Sequence, residues 1–197
     1  MIRKIAGMHD ALIRVISAHS RPDDADIALC RELWEPVSAP RNHILEEAGK
    51  KTRYLYFVVS GYVRLFYYDD EGNENTTHIN CPPGFITSYS SYIQQAFSEF
   101  NVACITDCEL LRISRADLDR LYRDSENLRN FSTIVFERSL AYNEQRSRDL
   151  ATLSAEKRYQ KLIRETPEIL HHVPLQYIAS FLGIKPESLS RIRRQIT

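Results

Sequence analysis

The chain has 197 residues, enough for one large domain or two small ones, and 43% of its side chains are apolar and 26% charged. This balance excludes an intrinsically disordered chain. No apolar run approaches the roughly 20 residues that cross a bilayer, and the first segment lacks the apolar core of a secretion signal. We therefore expect a cytoplasmic protein without a membrane partner.

The charges are unevenly distributed along a chain whose formal net charge is zero. Of the 26 basic and 26 acidic residues, 10 basic and 5 acidic ones lie from Arg146 onward. The carboxy-terminal segment therefore has an excess of positive charge. Such an asymmetry favours a nucleic-acid-binding end on an otherwise neutral molecule.

The cysteines predict neither a metal site nor another bound cofactor. They are Cys30, Cys81, Cys104 and Cys108. None belongs to a C-x-x-C pair with a matching Cys or His pair elsewhere. On a single strand Cys104 and Cys108 would lie roughly 13 Å apart, too far for one metal ion. We expect buried or half-buried thiols in a reducing compartment.

Glycines divide the first half of the chain into segments rich in strand-forming residues. Gly49, Gly61, Gly72 and Gly84 recur every 11 or 12 residues, a turn spacing typical of a sandwich or barrel. Residues 62–67 alternate between two unlike faces, as a strand does. Further strands are predicted over residues 76–80, 101–106 and 109–113.

Helix-forming residues follow from Ser114, which is predicted to cap a short helix. A longer helix is predicted from Ser125 to Ala151, and at 1.5 Å per residue it would be about 40 Å long, more than a single small core needs. Its apolar stripe consists of Leu128, Phe131, Val135 and Tyr142. We interpret this stripe as the seam of a homodimer, with a plain core face as the alternative. Ser154 is predicted to cap a further helix that ends near Glu165.

The segment Leu175–Arg194 has the spacing of a helix-turn-helix unit, and Pro174 fits the first turn of its first helix. The apolar positions that would join its two helices are Ile178, Leu182, Ile184, Leu189 and Ile192. Ala179 is small where the second helix would cross the first. Gly183 lies where the turn needs a left-handed backbone.

The second helix of this unit is predicted to have one apolar and one polar face. At about 100° per residue, Leu189, Ile192 and Ile196 share the apolar face. On the other face, Glu187 can accept a hydrogen bond from cytosine and Arg191 can donate two to guanine in the major groove. Their i, i+4 spacing would let each orient the other, and a surface salt bridge without a DNA partner is the alternative. The predicted DNA-binding residues are Lys185, Glu187, Ser188, Ser190, Arg191, Arg193 and Arg194.

In the order of these elements the chain resembles the Crp/Fnr superfamily of bacterial transcription regulators over nearly its full length. Residues 54–74 (YLYFVVSGYVRLFYYDDEGNE) are similar to the family's β-roll signature, and residues 182–194 (LGIKPESLSRIRR) to its turn and recognition helix. Glu187, Ser190 and Arg191 match the E-x-x-S-R pattern of the oxygen-sensing branch, and the resemblance implies that they read bases. Pro186 replaces an Arg of the cyclic-AMP-binding branch.

The resemblance implies a homodimeric, sequence-specific DNA-binding regulator. Its paired recognition helices would enter successive major grooves of double-stranded DNA about 34 Å apart, on a pseudo-palindromic operator.

Two departures from the family pattern concern the signal. In members that bind cyclic AMP, a Gly-Glu pair and an Arg-Ser pair hold the phosphate, and here Thr87–Ser88 and Ser98–Glu99 take their places. No Lys or Arg occurs between Arg64 and Arg112, so we predict that cyclic AMP is not the effector. The oxygen-sensing branch uses clustered amino-terminal cysteines for an iron-sulfur centre, which Cys30 alone cannot provide.

A further hypothesis is a ligand- or protein-binding β-roll with a vestigial DNA-binding end. Its effector pocket would be lined by Thr87, Ser88, Tyr89, Ser98, Tyr142 and Asn143. Tyr142 and Asn143 correspond to helix positions where cyclic-AMP-binding relatives touch the purine. The alternative is that these side chains fill the pocket themselves. The sequence does not identify a small-molecule effector. Such an effector would act by binding the protein with different affinities in two orientations of its recognition helices.

A cupin-type metalloenzyme is the competing catalytic hypothesis, and it needs clustered histidines with a carboxylate. His43 and His78 are isolated in the sequence, and His171 and His172 would project in different directions from a helix. The sequence shows no Ser/His/Asp or Cys/His arrangement either. We therefore expect no catalytic residues and no enzyme activity.

The predicted fold class is α+β, in three parts. Residues 1–124 form a jelly-roll-like antiparallel β-roll, residues 125–151 a long dimerisation helix, and residues 152–197 a helix-turn-helix domain. Because the sequence ends at Thr197, directly after the second helix, we expect a domain without a β-hairpin wing. Fewer phosphate contacts would then make DNA binding weaker and less dependent on salt.

Overall fold

The computed structural model describes residues 2–196, and it confirms an α+β fold with an antiparallel β-roll followed by helices. The strands are β1 (Glu35–Ala39), β2 (Ile44–Glu46), β3 (Tyr54–Ser60), β4 (Val63–Tyr68), β5 (Glu74–Asn80), β6 (Gly84–Ile86), β7 (Asn101–Cys104) and β8 (Cys108–Ser114). The helices are α1 (Ile2–Ser17), α2 (Asp24–Leu33), α3 (Tyr89–Gln94), α4 (Arg115–Asp124), α5 (Glu126–Thr152), α6 (Ala155–Glu165), α7 (Ile169–His172), α8 (Leu175–Phe181) and α9 (Pro186–Ile196). Met1 and Thr197, where the first and last predicted domains begin and end, lie outside the described residues. The expected absence of a wing, which was inferred at Thr197, lies outside them as well.

The β-roll consists of two four-stranded antiparallel sheets that face each other. One has the strand order β1-β8-β3-β6 and the other β2-β7-β4-β5. Side chains from both sheets fill the space between them, and Val58, Val63, Val102 and Leu110 have no exposed surface. The alternation predicted for residues 62–67 therefore corresponds to strand β4, which has one face in this core.

Cys104 and Cys108 do not share a strand, so the separation of roughly 13 Å expected on a single strand does not apply to them. Cys104 ends β7 and Cys108 begins β8 in the opposite sheet, so the chain turns between them instead of continuing as one strand. A hydrogen bond between their side chains raises the pKa of Cys104 and lowers that of Cys108. Both are free thiols in the core, as is Cys30 near α4 and α5, and Cys81 is a half-buried free thiol, so the prediction of buried or half-buried thiols is confirmed.

Two amino-terminal helices, which the sequence analysis did not predict, cover the outer face of the sheet that contains β3 and β8. Met8, Leu12 and Ile16 recur at helical spacing along α1 and are buried against Phe57 and its neighbours. Asp23 caps α2, and its side chain and that of Asp26 form a reciprocal capping box. These periodic and capping signals were present in the sequence.

The long helix is confirmed, with Ser125 as its N-cap and Thr152 as its last residue, but its apolar stripe divides into two parts. Leu128 and Phe131 are only 1% and 5% exposed, because they pack beside α1 and α4 in the core of the same subunit. The interpretation of these two residues as a dimer seam is therefore wrong. Further along, Leu140 is 70% exposed.

No helix within residues 2–196 is both long and apolar enough to span a membrane.

The carboxy-terminal helices are docked on β5, the edge strand of its sheet. The Ser180 hydroxyl accepts a hydrogen bond from Thr76 N at 2.8 Å and donates one to Glu74 O at 2.9 Å. Arg64 is buried between the rings of Phe66 and Tyr177, with its guanidinium 3.8 Å and 3.7 Å from their centroids.

Charged and aromatic side chains complete this docked interface. The guanidinium of Arg64 forms an ion pair with Glu74 at 2.6 Å. From α5, Arg146 donates to Thr77 O at 3.0 Å and to Phe181 O at 2.8 Å. One side chain thus joins the roll, the long helix and α8.

Candidate nucleic-acid interface

The turn between α8 and α9 is a complete Schellman motif. Gly183 has a φ of +67°, and its N–H donates to Ser180 O at 2.9 Å. The N–H of Ile184 donates to Ala179 O at 3.0 Å, which satisfies a second carbonyl at the end of α8. This left-handed turn redirects the chain so that α9 crosses α8, as the glycine predicted.

A small apolar core fixes α9 to the rest of its domain. Ile178, Ala179 and Leu189 have no exposed surface, and Ile192 is buried beside them. The small side chain of Ala179 permits the close crossing that the sequence analysis assigned to it. Pro174 is the N-cap of α8 and therefore precedes its first turn, one position earlier than predicted.

The opposite side of α9 is exposed. Lys185, Glu187, Arg191 and Arg194 are exposed, whereas Ser188, Ser190 and Arg193 are half-buried. The predicted mutual orientation of Glu187 and Arg191 is not seen, because no ion pair or hydrogen bond joins them in the described part of the chain. A carboxylate and a guanidinium, one turn apart, thus face outward from a helix whose other face is buried. The side chain of Ile196 lies outside the described set.

Four of the six predicted effector-pocket residues line a common cavity. Thr87, Tyr89, Tyr142 and Asn143 contribute to the wall of a cavity of about 660 Å³ between the roll, α1 and α5. Ser88 and Ser98 do not line it. They are buried and hydrogen-bonded to each other at 2.9 Å, which commits their hydroxyls to holding the segment around α3.

His78, on β5, contributes an uncharged ring to the wall of this cavity. Burial lowers the pKa of His78 to about 4, and the nearby positive charge of Arg146 adds to the effect. The imidazole is therefore neutral near pH 7. Its ring meets that of Tyr142 edge-on, with 5.5 Å between the centroids.

The histidines of the metalloenzyme hypothesis lie apart. His43 is exposed near β2, His78 faces the cavity, and His171 and His172 lie on α7, where the ring of His172 stacks on Tyr62 at 4.8 Å. Among residues 2–196, no three His, Cys, Asp or Glu side chains are arranged to hold a metal ion. The structure thus offers no support for this hypothesis within that range.

The residues that place α8 and α9 against the roll were not predicted from the sequence. Arg64 is a lone cation within an otherwise apolar and aromatic strand, an unusual position that pointed to a specific partner. Ser180 and Arg146 carried no comparable signal, because a serine on a short helix and an arginine on a long one are ordinary surface residues.

Comparisons with known proteins agree with this architecture. Residues 36–125 match the family of cyclic nucleotide-binding domains. No curated protein sequence matches the chain significantly. The solved structures that share its fold include CLP, a c-di-GMP responsive global regulator from Xanthomonas campestris, which is 19% identical, with 88% of this chain and 91% of CLP covered and a TM-score of 0.69.

FixK2 from Bradyrhizobium japonicum is 16% identical, with 83% of this chain and 84% of FixK2 covered and a TM-score of 0.71. A CRP/FNR family transcriptional regulator from Thermus thermophilus is 21% identical, with 82% and 85% covered and a TM-score of 0.64. Residues 36–125 thus match the model of the cyclic nucleotide-binding domain, and the chain shares its fold with these solved structures, which include a global regulator and a CRP/FNR family transcriptional regulator.

Proposed function

We propose that the protein is a sequence-specific DNA-binding transcription regulator that acts as a homodimer. The observation that carries this proposal is the exposed pair Glu187 and Arg191 on a helix whose opposite face is buried at Leu189 and Ile192. A rigid support is what a base-reading helix needs, because hydrogen bonds to base edges depend on a fixed position in the major groove.

The charges around this pair fit contact with a nucleic-acid backbone. Lys185 and Arg194 are exposed at either end of the recognition face. Lysine and arginine beside a base-reading pair position a protein on phosphates without reading the sequence. Ser188, Ser190 and Arg193, which are half-buried, complete the set of residues that we assign to DNA contact.

The homodimer would present two copies of α9 to one duplex. The exposed part of α5, centred on Leu140, offers the surface for the second subunit, since a large apolar side chain there is 70% exposed. Two recognition helices related by a twofold axis would read a pseudo-palindromic operator.

We also propose that cyclic AMP is not the signal. Ser88 and Ser98, which stand where cyclic-AMP-binding relatives hold the phosphate, are buried and bonded to each other. A cyclic phosphate would need a cation to offset its charge, and the segment between Arg64 and Arg112 contains none.

The decisive experiment compares base preference before and after removal of Arg191. DNA fragments that the protein retains from a random pool define the operator, and binding to this duplex and to a scrambled one is then measured over a salt titration. We expect Arg191→Ala to weaken specific binding by about 1–3 kcal/mol and to relax preference at one base pair in each half-site.

The control is Arg164→Ala, which removes an exposed arginine of the same domain from α6. It should leave the operator preference intact. Equal affinity for every sequence, both before and after the change at Arg191, would refute the base-reading role.

A further inference from the structure

The cavity between the β-roll, α1 and α5 has the size and surface of a small-molecule site. Its volume of about 660 Å³ lies within the range of such sites. Its deep part is lined by buried apolar side chains, among them Leu12, Leu55, Leu121 and Phe131. The side chains predicted to fill the pocket therefore leave a large open volume.

Two polar atoms of residues that line this cavity, Asn80 Oδ1 and Tyr122 Oη, are buried without a hydrogen-bond partner among the described residues, and Asn80 Oδ1 is the one that can only accept. Asn80 is only 6% exposed, and its Nδ2 donates to Phe85 O at 3.0 Å, which determines the orientation of the amide. Its Oδ1 accepts no hydrogen bond from any described residue. A buried acceptor without a donor is destabilising, so a ligand that donates to it would recover that lost free energy.

The cavity interior carries no charge. Among the described residues that line the cavity, Arg138 is the one with a charged side chain. This side chain is exposed and is paired with His19. His78 has the lowered pKa of about 4 described above and is neutral near pH 7. An ion placed deep in this cavity would lose its hydration without gaining a counter-charge.

We propose that this cavity binds an uncharged, mainly apolar small molecule that donates a hydrogen bond from a hydroxyl or N–H group to Oδ1 of Asn80. Such a ligand would contact α5 and β5 together, and Thr77 of β5 accepts a hydrogen bond from Arg146 of α5. These are the elements against which α8 is docked. A role for the ligand in regulation rests on the proposed DNA-binding function. The binding of the ligand to the cavity does not depend on that function.

Two matched probes test the proposal without any variant. The probe 4-phenylphenol has an apolar biphenyl body and a hydroxyl donor, and 4-methoxybiphenyl has the same body without the donor. Trp34, the single tryptophan of the chain, lines the cavity and reports occupancy through its fluorescence. We expect saturable binding of one 4-phenylphenol per subunit, roughly threefold to tenfold tighter than that of 4-methoxybiphenyl.

Variants locate the bound probe. Ser132→Phe places a ring in the cavity and should abolish binding, whereas Thr133→Phe, at the adjacent exposed position of α5, should leave it unchanged. Asn80→Ala should bind both probes equally. If Asn80→Ala fails to fold, the difference between the two probes on the unmodified protein still decides the role of the donor.

Three results would overturn the proposal: equal affinity for the two biphenyls, saturable binding that persists in a folded Ser132→Phe variant, and displacement of 4-phenylphenol by cyclic AMP. DNA binding is measured separately with the same samples. A protein that binds 4-phenylphenol as expected but shows no operator preference would refute the proposed function and leave the cavity assignment in place.

Discussion

Two glycines, Gly61 and Gly183, share a left-handed backbone but differ in what surrounds them. Gly61, between β3 and β4, has a φ of +88°, and a Cβ there would lie 2.4 Å from Asp107 O and 2.6 Å from Cys108 Sγ. Gly183 has a φ of +67°, and the nearest atom to a Cβ would be Leu150 Cδ2 at 3.5 Å, an ordinary contact. Only Gly61 therefore combines conformational strain with a steric clash.

This difference predicts unequal costs for the same substitution. Gly183→Ala should lower the free energy of unfolding by about 1–2 kcal/mol, the cost of a left-handed non-glycine residue. Gly61→Ala should cost more than about 3 kcal/mol, because backbone atoms of the neighbouring turn must also move. Urea unfolding of both variants measures the difference. Equal midpoints would contradict the clash at Gly61.

His78 should make stability depend on pH. Its pKa is about 4 in the folded protein and near 6.5 in the unfolded chain, so the unfolded chain takes up the proton first as the pH falls. The contribution of the neutral ring is complete above about pH 6.5 and is lost as the pH falls toward 4. His78→Gln should flatten this part of a plot of unfolding free energy against pH. An unchanged slope in the His78→Gln variant would contradict this role of His78.

At the scale of secondary structure, regular elements with local signals could be predicted from the sequence. Ser114, Ser125 and Ser154 each accept a hydrogen bond at the start of a helix, as their positions indicated. The strand-forming runs became strands. Leu128 and Phe131 of the α5 stripe were misread, because periodicity identifies an apolar face but not the surface that covers it, and α1 and α4 reach these residues only in the folded chain.

The two candidate sites also differ in how far they could be predicted from the sequence. The apolar and polar faces of α9 follow from helical periodicity, so the residues that we propose to contact DNA could be chosen without coordinates. The cavity residue Asn80 could not be identified, because its significance comes from an amide oxygen that tertiary packing leaves without a donor. Ser88 and Ser98, chosen by their position in the family pattern, instead bond to each other.

The exposed part of α5 predicts the behaviour of a dimer variant. Leu140→Asp would place a carboxylate in the apolar centre of the proposed interface, and we expect subunit association to weaken at least about tenfold. Ile44→Asp introduces the same charge at an exposed apolar residue of β2 and should not affect association. Sedimentation over a concentration series distinguishes them. Unchanged association in the Leu140 variant would exclude this surface.

At the scale of the whole molecule, Arg146 links three parts of the structure through its two hydrogen bonds and its stacking on Phe181 at 3.9 Å. Arg146→Lys keeps the charge but removes the planar fork that makes both bonds. We expect amide hydrogens of α8 and of the edge of β5 to exchange at least about fivefold faster in this variant, measured by mass spectrometry. Arg148→Lys, two residues away at an exposed position, is the control, and equal exchange in the two variants would show that Arg146 does not hold the docked state.

The contact of Ser180 with β5 has a consequence for solubility. Because β5 ends its sheet, Thr76 N and Glu74 O lack a strand partner, and the Ser180 hydroxyl occupies both groups. Bare sheet edges recruit strands from other chains, and a helix laid across an edge is one way that proteins prevent aggregation. A fragment that ends before α8, or a subunit that has released α8, would present this edge and become prone to strand-mediated aggregation.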